Sequence, residues 1–227
     1  MEDVRIIEVK RSVFADNDAD AERLRQQLQQ EKTFLLNLMS SPGAGKTTLL
    51  RRIAAELEGK LRFAVMEADV DSDVDARAMR QIGVDSIQIH TGGMCHLDAD
   101  MARQGLQELG SADYDLVILE NVGNLICTAA FDTGAAKNMT ILSVPEGHDK
   151  PLKYPKMYEA CQLLVVNKID VLDYFDFDCD KAVEYARMRN PDIEVLFVSA
   201  KTGEGVEQVA EWILSNTRAW NGQEQAL

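Results

Sequence analysis

The sequence has no long apolar run. No stretch of eighteen or more apolar residues occurs among its 227 residues, and a helix needs about that length to span a bilayer. Residues 1–11 mix acids and bases without an apolar core, so we expect no secretory signal peptide. These absences predict a protein with no membrane partner.

Cysteine is scarce, and basic residues are outnumbered. A disulfide framework has close, regular spacing, which is missing from the four cysteines, Cys95, Cys127, Cys161 and Cys179. We therefore expect a cytoplasmic location, where reduced thiols serve packing, metal binding or catalysis. The 24 basic residues face 38 acidic residues, which gives a formal charge of −14. Such a surface repels phosphate backbones, so we expect no nucleic-acid partner.

The remaining composition is that of a globular protein, with 46% hydrophobic and 27% charged residues. Short apolar runs alternate with helix-like segments, which predicts βαβ crossovers and an α/β fold. We expect a mostly parallel sheet with helices on both faces, and ligands at the carboxyl ends of its strands. The predicted strands are residues 34–39, 62–67, 86–90, 116–119, 140–144, 163–166 and 195–198. The predicted helices are residues 18–31, 47–57, 97–109, 180–189 and 206–216.

A glycine-rich loop lies between the first of these strands and the next helix, at residues 40–48. Its glycines let successive backbone N–H groups point into one concavity, and the helix N-terminus favours a phosphate there. Lys46 can reach the β- and γ-phosphates, and the Thr47 hydroxyl can bind Mg²⁺. Ser40 stands where the usual P-loop has a glycine, and a simple glycine turn is the alternative. The predicted phosphate-binding residues are Gly43, Ala44, Gly45, Lys46, Thr47 and Thr48.

Two later loops predict guanine as the base. Asp170, in Asn-Lys-Ile-Asp at residues 167–170, can accept hydrogen bonds from both N1–H and the 2-amino group of guanine. Adenine has no such pair of donors and would leave the carboxylate unpaired. Ser-Ala-Lys follows another apolar run at residues 199–201. ATP or another nucleotide is the alternative. The predicted base-binding residues are Asn167, Lys168, Asp170, Ser199, Ala200 and Lys201.

Acidic residues after two central strands predict the switch elements of a P-loop GTPase. Glu120 can bind Mg²⁺, and the Gly123 N–H can reach the γ-phosphate. Asp69 is a second candidate Mg²⁺ ligand, and Asp75 lies just beyond it. We predict Lys46, Asp75 and Glu120 as catalytic residues, although each acid has an alternative role as a solvated carboxylate. Asn124 stands where many small GTPases have a water-orienting glutamine, which predicts slow hydrolysis.

A second set of residues predicts a metal site. Cys95 and His96 lie in a loop and are both good ligands for Ni²⁺ or Zn²⁺. Cys127 follows Gly123 closely and is therefore attached to the predicted switch. If the three meet, they form a site that is open, or is completed by water or a second subunit. The alternative is that Cys127 is a small core residue.

Together these motifs resemble the hydrogenase nickel-incorporation GTPases. The resemblance rests on the P-loop, Cys95-His96, residues 120–127, residues 145–155 and the Asn-Lys-Ile-Asp motif, and it covers nearly the whole chain. It implies a GTPase domain with inserted metal-binding loops at residues 33–218, after an extension at 1–32 and before a polar tail at 219–227. It also implies a GTP-promoted homodimer, metal bound by Cys95, His96 and Cys127, and delivery of nickel to hydrogenase maturation partners and the hydrogenase large subunit.

The chain departs from many bacterial members of that family. Residues 1–32 contain neither cysteine nor histidine, so we expect no separate tight nickel site and no nickel store. Lys153 or Lys150 is predicted to reach the nucleotide of the opposite subunit, with a solvated loop as the alternative. A GTP-driven partner-binding switch with a structural zinc, and a plain metal-storage module, are the competing functions.

Overall fold

Eight parallel strands form a single sheet. The computed structural model describes residues 17–69, 77 and 79–223, together with strand β1. The strand order is β1-β4-β3-β5-β2-β6-β7-β8, and every neighbouring pair is parallel. This arrangement confirms the predicted parallel α/β fold. The strands are β1 (Arg5–Glu8), β2 (Phe34–Ser40), β3 (Phe63–Asp69), β4 (Asp85–His90), β5 (Leu116–Glu120), β6 (Lys137–Ser143), β7 (Leu163–Asn167) and β8 (Glu194–Phe197).

Helices connect most of these strands. Five of them match the predicted helices, with small shifts of their ends. For example, the third helix begins at Ala99 rather than at residue 97, because the Asp98 carboxylate accepts a hydrogen bond from the Met101 N–H (2.9 Å) and caps the helix. Two short helices after β6 and the strand β1 were not predicted. The helices are α1 (Asn17–Glu31), α2 (Lys46–Leu57), α3 (Ala99–Leu109), α4 (Lys150–Lys153), α5 (Pro155–Glu159), α6 (Cys179–Arg189) and α7 (Val206–Trp220).

Helices cover both faces of the sheet. On one face, α2 and α7 bury Ile53 and Ile213 against β2 and β5. On the other face, α1 and α3 bury Leu28 and Met101 against the same two strands. Strands covered on both faces are mostly apolar, which explains why β2 is apolar apart from Asn37 and Ser40. Because the strands are parallel, their carboxyl ends meet at one edge, and the loops with the predicted motifs emerge there.

The lengths and hydropathy of the helices can be compared with the prediction of no membrane partner. Within residues 17–69, 77 and 79–223, no helix is both long enough and apolar enough to cross a bilayer.

A candidate nucleotide site beside two thiols

The glycine-rich loop connects β2 to α2, as predicted. Gly43 and Gly45 adopt left-handed backbone conformations, with φ of 76° and 99°. Gly45 immediately precedes the first turn of α2, which begins at Lys46. A Cβ atom on Gly45 would lie 2.6 Å from Nδ2 of Asn167, so glycine is required for the close approach of the β7 loop. Ala44 is fully buried, and Thr47 and Thr48 belong to the first turn of α2.

Two hydrogen bonds join the loop after β7 to the glycine-rich loop, and a third joins it to the loop after β8. Asn167 donates from Nδ2 to the Ala44 carbonyl (2.9 Å), and it accepts from the Ala200 N–H at Oδ1 (3.0 Å). Lys168 donates from Nζ to the Gly43 carbonyl (2.7 Å). The first of these bonds ties the Asn-Lys-Ile-Asp motif to the glycine-rich loop. The buried amide of Asn167 therefore connects three separate loops.

The Asp170 carboxylate is held from both sides. Ser199 donates from Oγ to one oxygen of Asp170 (2.6 Å). The Nζ atom of Lys201 lies 3.8 Å from the other oxygen. Residues 167–170 and 199–201 therefore lie together at the carboxyl ends of β7 and β8, in the arrangement that their motifs predict.

The predicted switch residues also lie beside the glycine-rich loop. Glu120 ends β5 and is buried, with Oε1 3.7 Å from Nζ of Lys46. Gly123 packs against Pro42, and a Cβ atom there would lie 3.2–3.4 Å from the Pro42 ring and backbone nitrogen. Since the two loops already touch, a γ-phosphate bound by one would lie close to the other.

The oxygen donors at this edge suit Mg²⁺, which prefers hydroxyl and carboxylate oxygens. Thr47 supplies a hydroxyl at the start of α2, and Glu120 supplies a buried carboxylate that already faces a cation, Lys46. Asp69 ends β3, but its side chain lies outside the described part of the chain, as does Asp75. Their predicted roles therefore stay predictions.

Lys153 pairs within its own loop. Its Nζ atom lies 2.5 Å from Oδ2 of Asp149, and this pairing lowers the pKa of the Asp149 carboxyl. Lys150 lies over the ring of Tyr154, 5.4 Å from the ring centre. Both lysines are close to the carboxyl end of β6, and their predicted contact with a second subunit stays a prediction.

Two of the predicted metal ligands are neighbours. The Cys127 thiol interacts with the Cys95 thiol, and this interaction raises the pKa of the Cys127 thiol. Both side chains are partly accessible. Cys161, by contrast, is fully buried in the core, and burial raises its pKa. Because the thiolate is the metal-binding form, the partly accessible and neighbouring Cys95 and Cys127 remain candidate ligands, whereas the buried Cys161 is a packing residue.

His96 lies beside this pair, but the three side chains do not converge on a shared centre. Its Nδ1 atom is 3.9 Å from the Cys95 sulfur. Its ring is buried and stacks on Phe131, with ring centres 3.7 Å apart and planes 7° apart. Among the described residues, no three histidine, cysteine or acidic side chains are close enough together to hold a metal ion. The thiols therefore meet, and the histidine is adjacent to them.

Several residues of this site have no signal in the sequence. Glu146 accepts a hydrogen bond from the Ser41 hydroxyl and others from the N–H (2.8 Å) and hydroxyl (2.7 Å) of Ser143. It thereby links the β6 loop to the glycine-rich loop. Glu67 is buried in β3 and is the cross-strand partner of Glu120. Such roles depend on contacts between distant segments.

A chain of three amides, two of them buried, also crosses the sheet beneath the switch loop. Asn121 donates from Nδ2 to Oδ1 of Asn37 (3.1 Å). Asn37 in turn donates to Oδ1 of Asn138 (2.9 Å). The start of the loop that carries Gly123 and Cys127 is therefore fixed to β2 and β6.

Comparisons with known proteins agree with this geometry. Residues 34–197 match the family described as CobW/HypB/UreG, nucleotide-binding domain. The hydrogenase maturation factor HypB of Azotobacter vinelandii is 47% identical over 210 residues, which are 92% of this chain and 69% of that protein. The corresponding factor of Escherichia coli K12 is 44% identical over 209 residues, which are 92% of this chain and 72% of that protein.

A solved structure is similar as well. HypB from Helicobacter pylori in complex with nickel superposes with a TM-score of 0.84 at 34% identity, and the match covers 94% of this chain and 99% of that chain. A match of this extent includes both the nucleotide loops and the loops with the two thiols. The chain therefore belongs to the CobW/HypB/UreG family of nucleotide-binding proteins, among the HypB hydrogenase maturation factors.

Proposed function

We propose that the protein is a GTP-hydrolysing metallochaperone that binds nickel at its Cys/His loops and assists insertion of nickel into [NiFe]-hydrogenase. The observation that carries the proposal is the continuity of one segment, residues 120–127. It begins at Glu120 beside Lys46 and ends at Cys127 beside Cys95. A structural change caused by gain or loss of the γ-phosphate can therefore be transmitted along this short segment to a proposed metal ligand.

Guanine is the base that the loops fit best. The two oxygens of Asp170 point in directions fixed by Ser199 and Lys201. A carboxylate in this position accepts from the two adjacent donors of guanine, and discrimination arises because adenine would leave it unpaired. Asn167 keeps this loop against the phosphate loop through its bond to Ala44.

For hydrolysis, we assign charge neutralisation to Lys46 and Mg²⁺ binding to Thr47 and Glu120, with Asp69 as a further ligand. Mg²⁺ supplies positive charge at the β- and γ-phosphates when it is bound. Asp75 is proposed to orient the attacking water. Asn124 cannot act as a general base, and its Oδ1 atom already accepts from the N–H groups of Ile126 and Cys127. We therefore propose slow turnover.

For nickel, we propose Cys95, Cys127 and His96 as ligands. His96 must turn toward the thiols, or a second chain must complete the site, because three ligands do not converge among the described residues. A GTP-promoted homodimer would supply the second chain, with Lys153 or Lys150 reaching the partner nucleotide. Loss of the γ-phosphate then releases residues 120–127, and nickel affinity changes.

The test is a titration of Ni²⁺ and Zn²⁺ into the purified protein with GDP or with a non-hydrolysable GTP analogue. An ATP analogue is the nucleotide control, and Cys127→Ala is compared with Cys179→Ala, which removes a thiol in α6 outside the site. We expect nickel affinity to differ about 5- to 150-fold between the GDP and GTP-analogue states, which is the usual range of allosteric coupling. Cys127→Ala should abolish this difference, and Cys179→Ala should preserve it.

Equal nickel affinity in the two nucleotide states would disprove the coupling. Tight zinc binding with the same affinity in both nucleotide states, together with little nickel binding, would instead favour the partner-binding GTPase with a structural zinc. The coupling must also be reciprocal, so nickel should change the affinity for the GTP analogue by the same factor.

A further inference from the structure

Helix α1 contacts both loops that carry the predicted metal ligands. The β4–α3 loop holds Cys95 and His96, and the β5–β6 loop holds Cys127. Strand β3 lies between β4 and β5 in the sheet, so sheet pairing alone does not bring these loops together. Helix α1 precedes residues 34–197, the part of the chain that matches the nucleotide-binding family.

One side chain of α1 joins the two loops directly. Asn17 accepts at Oδ1 from the N–H of Ala99 (3.0 Å), at the start of α3. It donates from Nδ2 to the carbonyl of Asp132 (3.0 Å). Ala99 follows His96 by three residues, and Asp132 follows Cys127 by five. A single amide therefore sets the distance between the two loops near their ligands.

A second side chain of α1 fixes the β5–β6 loop. Arg25 donates from Nη2 to both carboxylate oxygens of Asp132, at 2.7 and 3.0 Å. It also donates from Nε to the Ala135 carbonyl (3.1 Å). The backbone of Gly134 lies directly on Leu24, because a Cβ atom there would lie 2.8 Å from the leucine side chain. Hydrogen bonds between charged groups are stronger than those between neutral groups, so this contact restrains the β5–β6 loop.

The residue next to Asp132 carries this constraint to a metal ligand. Phe131 stacks on the ring of His96 with centres 3.7 Å apart. Fixing Asp132 therefore fixes Phe131, and Phe131 defines the position of the imidazole. The route runs from α1 through Asp132 and Phe131 to His96, and it does not pass through the nucleotide loops.

We propose that Asn17 and Arg25 are positioning residues of the metal site, which hold the two ligand loops together and set the orientation of His96. This inference rests on the proposed function for the identity of the ligands. It predicts that α1 controls metal affinity without controlling nucleotide affinity. Outer-shell partners of metal ligands typically contribute about 10- to 100-fold to metal affinity.

The experiment compares Asn17→Ala and Arg25→Gln with Arg23→Gln in the full chain. Arg23 lies on the same helix, is largely exposed and pairs with Asp20 within the helix, so its replacement makes the same change in charge. Nickel affinity is measured with a competing chelator, and affinity for a GTP analogue is measured separately. We expect Asn17→Ala and Arg25→Gln to weaken nickel binding about 10-fold or more. Affinity for the GTP analogue should stay unchanged, and Arg23→Gln should bind both like the wild type.

A readout without metal separates this inference from the proposed function. The chain has three histidines, so their imidazole proton signals can be assigned by NMR with a His96→Gln variant. Stacking on Phe131 should move the His96 signals upfield, and the shift should disappear in Asn17→Ala and Arg25→Gln. Failure of wild-type nickel binding through Cys127 would overturn the proposed function, while the NMR shift would still decide whether α1 positions His96.

Two results would overturn the inference. One is unchanged nickel affinity together with an unchanged His96 signal in both variants. The other is an equal loss of affinity for nickel and for the GTP analogue, which would mean that α1 supports the whole fold and has no specific effect on the metal loops.

Discussion

The absence of a side chain at Gly45 allows the glycine-rich loop and the loop after β7 to contact each other. Its φ of 99° is unfavourable for other residues. Because glycine has no Cβ atom, Nδ2 of Asn167 can lie 2.6 Å from the position that a Cβ atom would occupy. The amide is held by bonds to Ala44 and Ala200, so it cannot move aside freely. The glycine is required both for the loop conformation and for the contact between loops.

We predict that Gly45→Ala destabilises the nucleotide-free protein more than a glycine substitution with backbone strain alone. Gly59→Ala is the matched control, because Gly59 has φ of 71° and open space around its α-carbon. The control should lower the free energy of unfolding by about 1–2 kcal/mol from left-handed strain. Gly45→Ala should lose about 1–3 kcal/mol more, because a buried amide loses its partners. Denaturant unfolding of both variants measures the difference, and equal losses would contradict the prediction.

The proposed metal ligands are also distinguished at the scale of single residues. Cys95, Cys127 and Cys161 are the same residue type, but only the first two are partly accessible and adjacent to each other. The sequence distinguished them through their neighbours, His96 and the switch segment. It could not show that the His96 ring stacks on Phe131, because that contact joins two loops 35 residues apart in sequence.

At the scale of elements, the amide chain Asn121–Asn37–Asn138 ties three strands together below the switch loop. Asn121 is the first residue after β5, and Asn37 lies in the middle of β2. Both are buried, so the hydrogen bonds between them cannot be replaced easily by water. The loop with Cys127 therefore starts from a fixed point.

We predict that Asn37→Ala lowers the free energy of unfolding by about 2–4 kcal/mol, because Nδ2 of the buried Asn121 and Oδ1 of the half-buried Asn138 each lose their hydrogen bond to Asn37. Asn216→Ala is the control, since Asn216 makes one bond to the Trp212 carbonyl (2.7 Å) within α7 and should cost about 1 kcal/mol or less. Urea unfolding monitored by circular dichroism measures both. A loss for Asn37→Ala no larger than that of the control would show that the amide chain contributes little.

Elements were predictable where a contiguous stretch of sequence indicates them, and they were not predictable where they depend on pairing between distant segments. The glycine-rich loop was predicted because strand, loop and helix are contiguous in the sequence. Strand β1 was not predicted, because its four residues pair with β4, in the register Arg5↔Ile87, across some eighty residues of chain. Helix α1 was predicted from its composition. The roles of Asn17 and Arg25 were not, because polar residues on a helix have no local signal for a distant partner.

At the scale of the whole molecule, net charge opposes assembly. Each chain carries a formal charge of −14, and bound GTP adds more negative charge. Two such chains repel each other when they approach, and salt screens that repulsion over a Debye length of about 30 Å at 0.01 M and about 10 Å at 0.1 M. A homodimer of this protein must gain enough from nucleotide and metal contacts to overcome the repulsion.

We therefore predict that the proposed GTP-promoted dimer becomes tighter as salt rises from about 0.01 M to about 0.1 M. Sedimentation equilibrium with Mg²⁺ and a GTP analogue measures the dissociation constant, and an uncharged osmolyte controls for excluded volume. A dimer that weakens with salt would contradict the prediction and would mean that local attraction at the interface exceeds the repulsion between the net charges. Lys153→Ala distinguishes these cases. Loss of an attractive contact would reverse the salt dependence, whereas a lysine that pairs only with Asp149 would leave its sign unchanged.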